Sequence, residues 1–132
     1  MPFVRTIVQD GGLERIMRAG DGWDNPVLAV VSADANATIT APQIIGGVIQ
    51  YTGFTVGRNL TTDTAANILA AMPTMDISDS LGFTISIIPA FAGTFVAGTG
   101  VTLAGRPTCP AATSVTVYIT KTSATTVLWT VL

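Results

Sequence analysis

The chain of 132 residues contains no histidine. Without an imidazole, Ser–His–Asp and Cys–His catalysis are excluded, and so is an ordinary zinc site. Cys109 is the single cysteine, so no disulfide can close within one chain. Charge is scarce too: charged residues make up 11%, less than half of the roughly one quarter usual for a soluble domain. The six basic residues are scattered apart from Arg15 and Arg18, whereas nucleic-acid phosphates need clustered Lys and Arg. No apolar run approaches the ~18 residues of a membrane span. The opening MPFVRTIVQDGG lacks the apolar core of a secretion signal. A soluble protein made in the cytoplasm is expected, with neither membrane nor nucleic acid as partner.

What is present is apolar and β-prone. Hydrophobic residues reach 48% in a length that suits one domain. So little charge leaves two readings: a tolerant β-protein surfaced with Thr and Ser, or a subunit whose apolar skin is covered by other subunits.

The densest pattern is Leu81–Gly105, LGFTISIIPAFAGTFVAGTGVTLAG. Phe83, Ile85 and Ile87 alternate with Thr84 and Ser86, the period of a strand with one buried face. Pro89 ends it, Phe95–Val96 begins another, and Gly98–Thr99–Gly100 leads into Val101–Leu103. A three-strand meander is expected there. Ser114–Thr120 alternates in the same way, with Val115, Val117 and Ile119 inward. Thr125–Leu132 is apolar on both faces, with Val127, Trp129 and Val131 on one and Leu128 and Leu132 on the other.

Earlier in the chain, Phe3–Val8 reads as a short strand broken at Gly11–Gly12. Leu13, Ile16 and Met17 have helical spacing, and Glu14 and Arg18 pair at i,i+4. Val27–Val31 reads as a buried strand. Ala41–Ile45 suits one helical turn with Pro42 at its first position, and Val48–Tyr51 and Phe54–Val56 suit strands. The single well-formed helix is Asp63–Met72, capped by Thr62 or Asp63 and closed by Pro73. Arg106–Thr113 is a loop. These elements predict a mainly β chain: a β-sandwich or jelly-roll-like domain over 38–132 with one short α-helix, preceded by an N-terminal arm and a first core strand over 1–37.

Candidate chemistry is thin. Cys109 has no adjacent base. Asp76 and Asp79 suit a solvated turn, although paired acids for glycoside cleavage are a hydrolase alternative. Asp21, Asp24, Asn25 and Asp34 offer oxygens for calcium, but without the spacing of an EF-hand. Gly98–Gly100 is no nucleotide fingerprint, since a strand follows it. Asn36–Thr38 and Asn59–Thr61 match the glycosylation triplet by chance in so Thr-rich a chain. No cofactor is expected. Arg58 and Arg106, each beside a glycine, are either solvated loop residues or interface arginines.

Three segments in order, ITAPQIIGG (39–47), GRNLTTDTAANILAAMP (57–73) and AGTGVTLAG (97–105), resemble small virion surface proteins of tailed bacteriophages, most of all capsid decoration, or cement, proteins. The resemblance covers residues 38–132. It implies a β-rich trimer bound to the major capsid protein on the outside of an icosahedral shell, where it stabilises the junctions between capsomers. An interface of about 1,600 Å² per contact would suffice. The arm, with Phe3, Arg5 and Ile7, would grip the shell or a neighbour, and Arg58, Arg106, Tyr118 and Trp129 would serve interfaces. The alternative is a tail-fibre or receptor-binding module recognising a host glycan through Tyr51, Tyr118 and Trp23.

Overall fold

The computed structural model describes residues 26–132 and, before them, the backbone of residues 7–10 and 13–16. Ile7–Asp10 (β1) pairs antiparallel with Leu13–Ile16 (β2), with Asp10 opposite Leu13. Only Gly11 and Gly12 separate the two, and Gly–Gly is among the pairs that two-residue hairpin links favour. The helical spacing read from Leu13, Ile16 and Met17 is therefore overturned over Leu13–Ile16, which is a strand, and Met17 and Arg18 lie outside the described residues. Three apolar residues at helical spacing do not offset the cost of helix nucleation when a hairpin partner is adjacent.

From Val27 onward the chain is mainly β. Its elements are β3 (Val27–Val31), β4 (Ala37–Ile39), α1 (Ala41–Gly46), β5 (Gly47–Tyr51), β6 (Arg58–Thr62), α2 (Ala65–Ala71), β7 (Ser80–Ile87), β8 (Gly93–Val96), β9 (Val101–Gly105), β10 (Thr108–Cys109), β11 (Thr113–Lys121) and β12 (Val127–Val131). One sheet has the order β3-β5-β7-β11-β12-β9 and the other β10-β8-β6-β4. From β3 to β8 the chain alternates between the sheets. Each return lays a strand parallel to its predecessor: β3 with β5 with β7, and β4 with β6 with β8. Parallel neighbours need a long crossover, and here the opposite sheet and a short helix supply it.

Leu81–Gly105 is consequently no meander. Its three strands form, but β8 lies in the other sheet, and β7 pairs instead with β5 and β11. Alternation reveals which face of a strand is buried, not which strand lies beside it. Phe54–Val56 is likewise not a strand, and the pairing passes to Arg58–Thr62. Phe54 is nonetheless buried, stacked on Tyr51 with ring centroids 5.3 Å apart.

Both helices are placed by their caps. At α1, the Gln43 backbone N–H donates to Thr40 Oγ1 at 3.4 Å, and the Thr40 N–H donates to Gln43 Oε1 at 3.0 Å. Pro42 fits the first turn, and Gly47 ends the helix at φ 95°, a conformation that costs glycine little. The expected single turn is thus a second helix. At α2, Thr64 is the cap, accepting from the Asn67 N–H at 3.2 Å, so the helix starts two residues later than expected. Asp63 ties the two starts together. Its carboxylate accepts from the N–H groups of Ala41 and Thr64, each at 2.8 Å, and from Asn67 Nδ2 at 2.8 Å.

Residues of both sheets and of both helices form one core. Phe83, Ile85 and Ile87 of β7 and Val115, Val117 and Ile119 of β11 point into it, as their alternation predicts, and so do Val127, Trp129 and Val131 of β12, a strand apolar on both faces. Trp129 sits edge-on to Phe83 at 5.2 Å and reaches Phe95, on the four-stranded sheet, at 6.3 Å. Fully burying such side chains stabilises by about 1.5–3 kcal/mol each. The core is thereby fastened across both sheets.

Candidate interaction surface

The alternation that fills the core also fixes what the six-stranded sheet shows on its other face. Opposite the buried residues stand Thr84 and Ser86 of β7, Ser114, Thr116, Tyr118 and Thr120 of β11, and Thr130 of β12. Leu28 and Val30 of β3 and Val48 of β5 flank them on one side, Leu128 and Leu132 on the other. Hydroxyls bond across the strands: Ser114 Oγ donates to Ser86 Oγ at 2.9 Å, and Ser80 Oγ lies 2.7 Å from Thr120 Oγ1. Thr84 and Thr116 stand directly opposite one another. The Tyr118 ring lies over Gly82, where an added Cβ would come within 2.8 Å of Cε1. Tyr118 itself remains 43% exposed.

Among the described residues no Asp, Glu, Lys or Arg stands on this face. The outward residues of the four-stranded sheet, Thr38, Asn59, Thr61, Thr94 and Val96, are uncharged as well. The charged side chains of residues 26–132 are confined to strand ends, turns and loops. Asp34 accepts from the hydroxyl and backbone N–H of Thr55 and pairs with Arg58 at 2.9 Å. Thr55 first, and Arg58 after it, pull its carboxyl pKa down to about 2. Asp79 accepts the Asp76 N–H at 2.9 Å, closing a turn on itself. Lys121 Nζ donates to the Met75 carbonyl at 3.0 Å. Burial raises the Asp63 pKa, but the hydrogen bonds from Asn67, Ala41 and Thr64 outweigh it and hold the carboxyl below its ordinary value.

The expected site residues that are described, Arg58, Arg106, Tyr118 and Trp129, do not converge. Arg58, read as either a solvated loop residue or an interface arginine, is engaged by Asp34 and braces the loop before β6. Trp129 is 0% exposed, so it belongs to the core and serves no interface. Two apolar faces in one strand gave no sign of which side the large ring takes. Arg106 is exposed in the β9–β10 connection, and Tyr118 is exposed on the uncharged face. Phe3 and Arg5 lie outside the described residues, as does the side chain of Ile7, whose backbone is in β1.

Tyr51 is wholly buried, and desolvation drives its phenol pKa upward, so it lines no glycan groove; Trp23 lies outside the described residues. Of the calcium candidates, Asp34 is committed to Thr55 and Arg58, and Asp21, Asp24 and Asn25 lie outside the described residues. Among the described residues no group of three or more His, Cys, Asp or Glu stands where it could hold a metal ion. Cys109, expected in a loop, is buried in β10, and burial lifts its thiol to about 11. The first N–H of α2, on Ala65, donates to the Thr99 carbonyl at 2.9 Å, so the Gly98–Gly100 turn closes that helix start.

The feature not anticipated is β3. Val27, Leu28 and Val30 are 57%, 53% and 55% exposed at the sheet edge, where a buried strand was expected. A continuous apolar run carries no mark that separates a central strand from an edge. No family model, curated protein or solved structure matches the chain.

Proposed function

We propose that the chain is a structural adhesion subunit of a virus particle: a decoration protein that binds the outside of an icosahedral bacteriophage capsid and stabilises it. In this reading the two sheets form a sandwich around their shared core, and the six-stranded face meets the major capsid protein. The observation that carries it is the uncharged outer face. A soluble sheet ordinarily interleaves Lys and Glu among its Thr and Ser. Here hydroxyls, two pairs of them bonded across strands, fill the middle of the face and aliphatic side chains flank them, so contact with another protein desolvates no ion from it. The resemblance of residues 39–47, 57–73 and 97–105 to phage decoration proteins supplies the partner.

The mechanism is mechanical. Burying this face across a capsomer boundary adds free energy that internal pressure must overcome, and repetition over the lattice multiplies a modest contact. Co-sedimentation with empty shells of the major capsid protein tests the reading, with shell melting followed in parallel. Saturable binding and a raised shell melting temperature are expected. Deleting residues 1–20 should weaken binding without unfolding the domain, as the gripping arm requires. Shells that neither bind the chain nor gain stability would refute the reading.

A further inference from the structure

We propose that β3 is a self-association edge: two copies of this chain pair their β3 strands antiparallel about a two-fold axis at Ala29, joining their six-stranded sheets into one. β3 is bonded to β5 on one side, and among the described residues no strand lies on the other. The Val31 carbonyl accepts from the Thr52 N–H at 3.0 Å, so Val31 points its backbone groups at β5. By strand alternation Val27 and Ala29 do the same, while Leu28 and Val30 present N–H and C=O to the open side.

β3 itself carries none of the in-strand devices by which monomers protect such edges. It has no charged residue, no proline within it and an unbroken one-to-one register with β5. Leu28 and Val30 are more than half exposed. Among the described residues, therefore, neither the backbone nor the side chains have a partner on that side.

A second copy fits because the open groups are symmetric about Ala29. Antiparallel pairing sets Leu28 against the partner's Val30, and Val30 against the partner's Leu28, each pair exchanging both backbone hydrogen bonds. Ala29 then faces the partner's Ala29 on the axis, the non-hydrogen-bonded position where strands come closest and a methyl fits. An uncharged strand meets no like-charge repulsion from its own copy. On the outer face, Leu28, Val30 and Val48 of both copies form one apolar cluster, with Leu28 already beside Val48 within each chain. The two uncharged faces become continuous. This pairing stands whether or not the protein binds a shell, and it assigns two-fold symmetry where the family resemblance implies three-fold.

Sedimentation equilibrium of the full chain should read twice the 13.6 kDa chain mass at micromolar concentration. Val30→Pro removes an outward N–H while leaving the bonds to β5, a place where proline is tolerated; its mass should fall to that of one chain. If Val30→Pro does not fold by circular dichroism, Val30→Lys sets a charge against the partner's Leu28 and should give the same fall. Under mild oxidation Ala29→Cys should cross-link two copies, because Cα atoms at that pairing site lie about 4.5 Å apart, within disulfide range. Thr102→Cys, on the opposite edge strand β9, should not, and Cys109 is buried and does not compete. A single-chain mass for the unaltered protein would overturn the proposal. So would a double mass that survives Val30→Lys with no cross-link at Ala29→Cys, which would mean that another segment covers β3. Shell co-sedimentation, run separately, distinguishes either failure from failure of the decoration reading.

Discussion

Replacing Asp63 with asparagine perturbs two helix starts at once. The carboxylate accepts from Ala41 N–H with one oxygen and from Thr64 N–H and Asn67 Nδ2 with the other, each at 2.8 Å. Asparagine keeps one acceptor and turns an NH₂ toward a second donor, so one charge-assisted bond is lost and one N–H is stranded. A bond to a charged group is worth about 1.5–3 kcal/mol, and partial exposure places this one near the lower end. The expected loss is about 2 kcal/mol. For a domain of this length that is a fall in melting temperature of about 6–10 °C.

The pH dependence has a definite sign. The folded carboxyl titrates below its ordinary 3.8, so its contribution is complete above that value and is lost as pH falls through the folded pKa. The unaltered protein and Asp63→Asn should therefore differ fully at neutral pH and converge in acid, as pH falls through the folded pKa. Thermal unfolding under both conditions is the assay. A difference below about 0.5 kcal/mol at neutral pH, or one equally large in acid, would refute the bridging role.

Trp129→Ala should cost about 3–5 kcal/mol in urea unfolding, because the ring touches Phe83 and Phe95 across the core; a cost under about 1 kcal/mol would contradict that contact. The Asp34 carboxyl should titrate near 2 by NMR and move upward in Thr55→Ala and, by less, in Arg58→Ala; no movement in either would sever the proposed links. Cys109 should resist alkylation at mildly alkaline pH in the folded protein and react on unfolding, and rapid native labelling would show that it is not buried. Gly105→Ala should destabilise severely, since at φ 80° its Cβ would sit 2.1 Å from the Val131 carbonyl oxygen; a Tm within about 2 °C of the unaltered protein would contradict this geometry.

Much of the core was legible because strand alternation is local. Phe83, Ile85, Ile87, Val115, Val117 and Ile119 declare their buried face within a few residues, and Pro42 declares a helix start. What was not legible depends on who pairs with whom. The shift of β8 to the other sheet, the edge position of β3 and the burial of Trp129 are set by contacts between distant segments. Arg58 illustrates the same limit: its partner Asp34 lies 24 residues away and is joined to it only by the loop geometry. The uncharged outer face lay in plain view as composition, but its continuity needed the register of six strands.

The most direct trial places charge at the middle of that face. Thr84→Lys and Thr116→Lys, opposite one another on β7 and β11, should leave the fold intact, since neither side chain enters the core. Measured by co-sedimentation with empty shells, the unaltered chain should bind saturably and the double variant should lose at least tenfold in affinity, about 1.4 kcal/mol. Equal binding by the two proteins would contradict adhesion through this surface.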